Sequence, residues 1–519
     1  MGSLSLLLLG TAVVGALLCC LLSFLSLSRR SLPLPPGPKG WPILGNLHQL
    51  GGKPHQTLAA LSRKYGPLLS LRFGSVQAVV ASSASIAAAF LKTHDANFAN
   101  RPPNSGAEHV AYNYRDMVFA PYGPLWRTLR KISSVHLFSV KALENFRHVR
   151  EEEAAQLARA LLSRGEGGGM ANLGEEVNVC AVNALSRAMM GRRVFGSVLG
   201  KEAEEFKKMV VELMQLAGVF NVGDFVPCLS WLDLQGVVSR MKSLHSRYDG
   251  MLNGIIKAHE ATVGIGGDND VRKDLLSVMM TMRGQAVDED GGIISNTEIK
   301  ALLLNLFTAG TDTTSSTVEW ALAELIRHPR ILKAAQEEID AVVGKGRLVA
   351  DSDLGSLPFL RAVVKEVFRM HPSTPLSLPR MAAESCEIEG YHIPKGATLL
   401  VNVWAISRDP AVWPSPLEFR PERFLPGGDH AHADVKGTDF EVIPFGAGRR
   451  ICAGMRLGLR MVEFLTATLV HAFDWELPPG ERPEKLDMEE AYGLTLQRAV
   501  PLRVRPVPRL DLDAYSAAK

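Results

Sequence analysis

The chain has 519 residues, of which 46% are hydrophobic and 21% charged, a composition typical of a folded protein with a large core. Its 57 basic and 54 acidic side chains nearly balance, and the formal net charge of +3 gives no support to a nucleic-acid partner bound through a general basic surface. The six cysteines form no CxxC pair, so neither a disulfide framework nor a structural zinc site is expected.

The chain begins with an uncharged segment, residues 1–28, that is rich in Leu, Val and Ala. Because about 20 apolar residues in a helix cross a bilayer core, this segment predicts a transmembrane signal anchor. A cleaved signal peptide is the competing interpretation, which the missing basic start and the length of the apolar run disfavour. The basic residues that follow, Arg29, Arg30 and Lys39, predict a main body on the cytosolic side.

A basic and proline-rich stretch over residues 29–42 comes next, with five prolines between positions 32 and 42. Such a run favours polyproline II, a semi-rigid spacer, and therefore predicts a hinge between the anchor and the main body. No second linker of this kind divides residues 43–519, so we expect one large domain there.

Hydrophobic periodicity indicates a fold that is mainly α with a smaller β part. It predicts helices over residues 143–164, 203–217, 238–260 and 296–328, strands over 68–72, 76–81 and 397–402, and surface loops at 165–169, 264–270 and 285–292. Ser295 and Glu298 have capping-box spacing at the start of the longest helix, and Pro329 follows its end. Its middle, AGTDTTSST at 309–317, contains poor helix formers and predicts a local distortion.

A lone cysteine, Cys452, lies in the stretch FGAGRRICAG at residues 445–454, and by itself it could be a small buried hydrophobe. Gly446 and Gly448 permit a tight turn and a close approach to a flat cofactor. Arg450 can pair with an acidic group on such a cofactor. The apolar-faced helix predicted over 454–471 would direct its N-terminal dipole towards the cysteine and favour a thiolate.

This stretch matches F-x-x-G-x-R-x-C-x-G, and the chain thereby resembles the cytochrome P-450 family of haem-thiolate monooxygenases. The resemblance implies the fold of that family, a haem b cofactor, and Cys452 as the axial ligand of the haem iron. It also implies that Phe445 and Arg450 contact the haem. Thiolate ligation makes haem iron electron-rich and favours O–O cleavage.

Further motifs of the family follow in order. WRTLR, residues 126–130, resembles W-x-x-x-R, which implies that Trp126 and Arg130 donate to haem propionates, and Arg380 occupies the position of a third propionate-binding residue. Without the other motifs, Trp126 and Arg130 would be read as an ordinary amphipathic helix with a solvated arginine.

An acidic residue and an arginine, Glu366 and Arg369, lie at i, i+3 in LRAVVKEVFRMHP, and this pair alone would be read as a surface salt bridge. It resembles the E-x-x-R motif of the family, and PERF at 421–424 supplies Arg423. The resemblance implies a buried ion network of these three residues with a structural role in the haem-binding core.

Asp312 and Thr313, in AGTDTT, match the acid–alcohol pair of the family. The implied role is a controlled proton supply to bound oxygen, with a hydroxyl that holds oxygen and ordered water. The alternative is a Thr-rich kink in which Asp312 is solvated or bonded to backbone.

Within the family the chain is most similar to the plant flavonoid 3′-hydroxylases, on residues 100–138, 371–410 and 434–455. This similarity implies O₂-dependent hydroxylation of the flavonoid B ring at the 3′ position, with electrons from NADPH through NADPH–cytochrome P-450 reductase at the endoplasmic reticulum membrane. The substrate-recognition regions of the family correspond to 101–124, 301–314, 373–381 and 491–498. The last of these contains Thr495, our candidate for substrate specificity.

Several alternatives stay open on the sequence. The nearest is a flavonoid 3′,5′-hydroxylase or another plant aromatic hydroxylase of the same family. A second keeps the fold but rearranges peroxides, which the intact Asp312–Thr313 pair disfavours. A third is a non-catalytic membrane haem protein that senses a gas or transfers electrons, which thiolate ligation and the long helix disfavour.

Overall fold

The computed structural model describes residues 32–194, 201–263, 274–285 and 293–516. The predicted anchor over 1–28 lies outside these ranges, as do the first residues of the hinge and most of the predicted loops at 264–270 and 285–292. Among the helices inside the ranges, none combines the length and apolarity needed to cross a membrane. Residues 33–40 of the proline-rich stretch form neither helix nor strand, and the carbonyls of Pro33 and Pro36 accept hydrogen bonds from His392 and Ser70 at 2.8 Å each.

Helices dominate the described chain. They are α1 (Pro54–Tyr65), α2 (Ala84–Ala88), α3 (Ser105–His109), α4 (Pro124–His136), α5 (Val140–Asn145), α6 (Arg147–Glu166), α7 (Leu173–Met190), α8 (Lys201–Ala217), α9 (Val222–Phe225), α10 (Val237–Val263), α11 (Leu275–Thr281), α12 (Asn296–Arg327), α13 (Pro329–Val343), α14 (Pro358–Met370), α15 (Val403–Ile406), α16 (Met455–Ala472) and α17 (Leu512–Ser516). The helix predicted over 143–164 is two helices, α5 and α6, because the chain leaves helical geometry at Phe146.

The longest helix, α12, runs through the middle of the molecule. Ser295 caps its start, since the Ser295 hydroxyl accepts the Thr297 N–H over 3.1 Å and the Ser295 N–H donates to the Glu298 carboxylate over 2.8 Å. The helix ends at Arg327, and Pro329 is the second residue after this end. The predicted distortion does not interrupt the helix. Instead, the Thr311 and Thr313 hydroxyls donate to carbonyls four residues earlier, over 2.7 and 2.8 Å.

Strands form four small sheets among the described residues. They are β1 (Leu68–Phe73), β2 (Val76–Ala81), β3 (Ala171–Asn172), β4 (Arg380–Met381), β5 (Cys386–Ile388), β6 (Tyr391–Ile393), β7 (Thr398–Val401), β8 (Phe473–Glu476), β9 (Glu490–Ala491), β10 (Gln497–Arg498) and β11 (Arg503–Pro508). The largest sheet has the order β1–β2–β7–β4, with β2 and β7 parallel in the register Ala78 to Thr398. It joins the two predicted β parts of the chain, and the predicted fold class of mainly α with a smaller β part is confirmed.

The largest core cluster is formed by α12 together with α7, α14 and α16, which pack their apolar faces against it. Gly310 allows one of these contacts, because a Cβ at this position would lie 2.7 Å from Leu185 Cδ2 on α7. The hairpin of β9 and β10 is held against the same helix, since the Ser316 hydroxyl donates to the Leu496 carbonyl over 2.9 Å. This packing brings residues near position 495 to the middle of α12.

Candidate active site

Two cavities meet at the middle of α12. The cysteine-side cavity, of about 270 Å³, is lined by Cys452 and by residues of α4, α7 and α12. The distal cavity, of about 420 Å³, is lined by Thr495, by α12 and by loop residues on the side away from the cysteine. Ala309 and Thr313 line both cavities, so this part of α12 is a wall that the two cavities share.

The cysteine loop takes its shape from glycine. Gly448 has φ +69°, and a Cβ there would lie 2.4 Å from the Leu91 carbonyl oxygen, so only glycine fits without a shift of the backbone. The Cys452 N–H donates to the Phe445 carbonyl over 3.0 Å and closes the loop. Helix α16 begins three residues after the cysteine, at Met455, with its N-terminus towards the loop.

The Cys452 thiol is accessible from the cavity, and the surrounding protein encloses it. Burial raises the pKa of this thiol, and two neighbours oppose that shift: the Gly454 N–H, which donates to the sulfur, and the Arg130 guanidinium. These two groups and the helix N-terminus favour the anionic sulfur that a metal ligand must be.

Three arginines also line the cysteine-side cavity: Arg380 and Arg450, which are buried, and Arg101, which is partly exposed. Burial lowers the pKa of Arg380 and of Arg450 to about 10, and it lowers the pKa of Arg101 well below its usual value, with a further lowering from the two neighbouring cations. Two of their donor atoms, Nη1 of Arg380 and Nη1 of Arg450, are buried without a hydrogen-bond partner. Such a cluster is positioned to bind an anion.

These observations test whether the site fits haem. A haem carries two propionate groups and an iron that takes a thiolate ligand. Nη1 of Arg450 and Nη1 of Arg380 make no hydrogen bond and suit the propionates, although the Arg380 nitrogen also lies 3.6 Å from the Asp95 carboxylate. Cys452 in the same cavity suits the iron. The residues therefore fit the cofactor.

The other predicted haem contacts lie in the wall of the same cavity. The Trp126 ring packs against the Arg450 guanidinium, whose carbon lies 4.7 Å from the ring centroid. The Arg130 guanidinium donates to the Ile451 carbonyl over 2.7 Å, directly beside the cysteine. The Phe445 ring packs against Phe368 with 5.0 Å between ring centroids.

Glu366, Arg369 and Arg423 form one ion network whose side chains are fully buried. Arg369 donates twice to the Glu366 carboxylate, over 2.7 and 2.8 Å, and Arg423 donates to it over 3.1 Å. The backbone N–H of Arg420 gives the carboxylate a further bond of 2.9 Å. A buried carboxylate with these partners has little unsatisfied charge.

Asp312 and Thr313 face different surroundings, because neighbouring helix residues point about 100° apart. Thr313 lines both cavities, whereas Asp312 accepts a hydrogen bond of 2.8 Å from the side chain of Gln497, which is exposed at the surface. Burial raises the pKa of Asp312, and Gln497 and Thr495 oppose the shift. The Thr495 hydroxyl lies near the carboxylate but makes no hydrogen bond of good geometry, and its oxygen is buried without a partner.

Two residues that no sequence motif predicted complete the site. Arg101 belongs to the arginine cluster, and Gln497 contacts Asp312. Both lie inside predicted substrate-recognition regions, 101–124 and 491–498, and this position was the one feature of the sequence that indicated a functional role. Nothing in their local sequence distinguished them from surface polar residues.

The cavity holds a thiol on a loop, with an arginine cluster that can bind carboxylates and a long helix in its wall. This combination is typical of a haem-thiolate protein. The sequence model of the Cytochrome P450 family matches residues 35–502, and the chain belongs to this family. A solved zebra fish cytochrome P450 structure with abiraterone has a TM-score of 0.71 and 25% identity, covering 88% of this chain and 100% of that one. The predicted family, fold and haem cofactor are thereby confirmed.

Curated relatives are more similar in sequence. A flavonoid 3′-monooxygenase of Crocosmia x crocosmiiflora is 66% identical over 96% of this chain and 98% of its own length. One of Oryza sativa subsp. japonica is 64% identical over 98% of both chains. A flavonoid 3′,5′-hydroxylase of Crocosmia x crocosmiiflora is 61% identical over 93% of both chains.

Proposed function

We propose that this protein hydroxylates the B ring of flavonoids at the 3′ position, since two of the relatives described above are named flavonoid 3′-monooxygenases. One atom of O₂ enters the ring next to the 4′-hydroxyl and the other leaves as water, while NADPH is oxidised to NADP⁺. This proposal is supported by the similarity to flavonoid 3′-monooxygenases along nearly the whole chain. It is also supported by the mainly apolar space that lies next to Cys452 and can hold a flat aromatic substrate.

Haem, when bound, supplies an electron-rich iron that activates O₂. Cys452 would hold the iron, and Arg380 and Arg450 would bind the propionates through the nitrogens that make no hydrogen bond within the protein. Trp126 supports this anchor by packing on the Arg450 guanidinium. Arg130 and Phe445 would hold the cysteine loop and the wall of the haem site, since they contact Ile451 and Phe368.

Asp312 and Thr313 would manage protons on the distal side. The Thr313 hydroxyl lies at the junction of both cavities, where it can hold ordered water near the reacting oxygen. Asp312 lies behind it, in contact with an exposed amide, and can take a proton from the solvent side. The Glu366–Arg369–Arg423 network would keep the haem-binding core in one shape.

A membrane-bound NADPH–cytochrome P-450 reductase would supply the two electrons, because the sequence contains neither a nicotinamide nor a flavin fingerprint. The uncharged segment 1–28 would anchor the chain in the endoplasmic reticulum membrane, with residues 29–42 as the hinge and 43–519 as the cytosolic domain.

The test is product analysis with purified reductase, NADPH and a small flavonoid panel. Naringenin should give eriodictyol, apigenin should give luteolin and dihydrokaempferol should give dihydroquercetin, each with one added oxygen. The 61% identical relative named as a 3′,5′-hydroxylase supports a second candidate function, and progressive build-up of a product with two added oxygens would favour it. Absence of any flavonoid oxidation would contradict both.

A further inference from the structure

The loop over residues 116–120 is a wall shared by the two cavities. Met117 and Val118 line the cysteine-side cavity, and Val118 and Phe119 line the distal cavity. The loop forms turns and bends and belongs to no helix or strand. Its shape must therefore come from hydrogen bonds to other parts of the molecule.

Asn305, on α12, provides these bonds. Its Oδ1 accepts the backbone N–H groups of Met117 and Val118, over 2.9 and 3.1 Å. Its Nδ2 donates to Oδ2 of Asp116 over 2.8 Å. The other Asp116 oxygen, Oδ1, accepts the Phe119 N–H over 2.8 Å, so one amide and one carboxylate connect the loop to the helix.

Both side chains are buried, Asp116 completely and Asn305 to 7% exposure. The far side of the loop is tied to the arginine cluster, because Arg101 donates to the Val118 carbonyl over 3.1 Å and Arg450 donates to the Ala120 carbonyl. Burial raises the pKa of Asp116 to about 6, against the opposing effect of its hydrogen bonds. A polar pair this deep in the molecule is stable only while all its bonds are made.

We propose that Asn305 and Asp116 form a latch that fixes the loop 116–120 as a wall of the substrate cavity, and that Asn305 is a positioning residue for the site of hydroxylation. The positioning role rests on the proposed function, because it concerns which edge of a flat aromatic ring is hydroxylated. Displacement of a reacting group by about 1 Å can cost about 100-fold in rate. A loosened wall would therefore change both the position and the efficiency of oxygen insertion.

The amide and the carboxylate of this pair can be exchanged between positions 305 and 116 to test the latch. In Asn305→Asp, two carboxylates face each other at a separation that disfavours two negative charges. In Asp116→Asn, an NH₂ group replaces one carboxylate oxygen, so either Asn305 or Phe119 faces a second donor where it had an acceptor. The double variant restores the connection, because the amide introduced at position 116 can donate to the carboxylate introduced at position 305, which still accepts the Met117 and Val118 N–H groups.

The first measurement is hydrogen exchange of the loop amides in the haem-loaded full chain. Each single variant should speed exchange at Met117 and Val118 about tenfold, the equivalent of one buried hydrogen bond of about 1.4 kcal/mol. The double variant should return to within about threefold of the original protein. Asn305→Ser removes the donor to Asp116 without adding charge and replaces Asn305→Asp in this comparison if the latter does not retain haem.

The second measurement is the product pattern and the ratio of product formed to NADPH consumed with naringenin. Single variants should lower that ratio at least about threefold and spread oxygen over more ring positions, and the double variant should restore both. Asn253→Asp is the matched control, because Asn253 also donates to a carboxylate, Asp249, over 3.0 Å, and neither residue lines the cysteine-side cavity or the distal cavity.

The outcomes separate the latch from the proposed function. Single variants that match Asn253→Asp in both measurements, or a double variant no better than the singles, would overturn the latch. Fast exchange in the singles, rescued in the double variant without a change in product pattern, would overturn the positioning role. If the unmodified protein oxidises no flavonoid, the proposed function fails, and amide exchange still decides whether the latch exists.

Discussion

The side-chain amide of Gln497 donates to the Asp312 carboxylate over 2.8 Å, and this contact joins the hairpin of β9 and β10 to the middle of α12. Gln497 is exposed, whereas Asp312 is buried beneath it. The contact is thus a short connection between solvent and the residue that we propose for proton supply.

Gln497→Leu should move the pH dependence of coupled turnover to higher pH. The Gln497 hydrogen bond favours the ionised carboxylate, so its loss raises the pKa of Asp312 further above its usual value. If the ionised form is the one that relays protons, the variant needs a higher pH to reach the same ionised fraction. The measurement is product formed per NADPH consumed between about pH 5.5 and pH 8.5, a range around the neutral operating pH that a proton relay must match.

Gln336→Leu is the matched control for this experiment, because Gln336 donates to a carboxylate of Asp474 over 3.0 Å and lines neither cavity. Its pH profile should coincide with that of the original protein. A Gln497→Leu profile that also coincides would show that the contact has no part in proton supply.

Glu366→Ala should reduce the free energy of unfolding by about 3–5 kcal/mol, because two buried guanidinium groups lose their counter-charge. Denaturant titration of the haem-loaded protein measures this loss. Glu144→Ala is the control, since Glu144 forms an exposed i, i+3 pair with Arg147 at 3.1 Å, and its removal should cost no more than about 0.5 kcal/mol. If the two variants lose the same free energy of unfolding, Glu366 forms an ordinary salt bridge and not a structural network.

The contrast between Glu366 and Asn305 shows how far the sequence alone could lead. Glu366 and Arg369 are one helical turn apart, so local spacing placed them together, and the motif of the family supplied Arg423. The cysteine loop was predictable for the same reason, because its glycines and its arginine are neighbours in the chain. Asn305, in contrast, bonds Met117 across 188 positions, and that contact exists only once α12 has packed against the loop.

The two helices predicted as one over 143–164 illustrate a second limit. Hydrophobic periodicity continues through Phe146, but the backbone there leaves helical geometry, and α6 starts afresh at Arg147. Periodicity reports which face of a segment is apolar and is insensitive to a one-residue change of direction. The unbroken α12 is the converse case, because poor helix formers in AGTDTT are outweighed by burial along almost the whole helix.

Cys452→Ser should abolish turnover and remove the thiolate-type band from the ferrous carbon-monoxide spectrum, because a neutral alcohol is a poor substitute for the thiolate ligand. Cys228→Ser is the control, since Cys228 is exposed and lines neither cavity. A variant at 452 that keeps the band would contradict the assignment of the iron ligand.

Thr495→Val should weaken flavonoid binding by about two- to tenfold while leaving the shape of the distal cavity nearly unchanged. The Thr495 hydroxyl lies beside the Asp312 carboxylate in the wall of that cavity but makes no hydrogen bond of good geometry there, so we expect a hydroxyl of the substrate to become its partner. The loss corresponds to one hydrogen bond of about 0.5–1.5 kcal/mol.

Naringenin titration followed by the haem absorbance measures this loss of affinity, and Thr495→Ser, which keeps the hydroxyl, should retain the original affinity within about twofold. An unchanged affinity in Thr495→Val, or an equal loss in Thr495→Ser, would mean that position 495 acts by shape alone. In that case the selectivity for the 3′ position would have to come from the loop 116–120 and its neighbours.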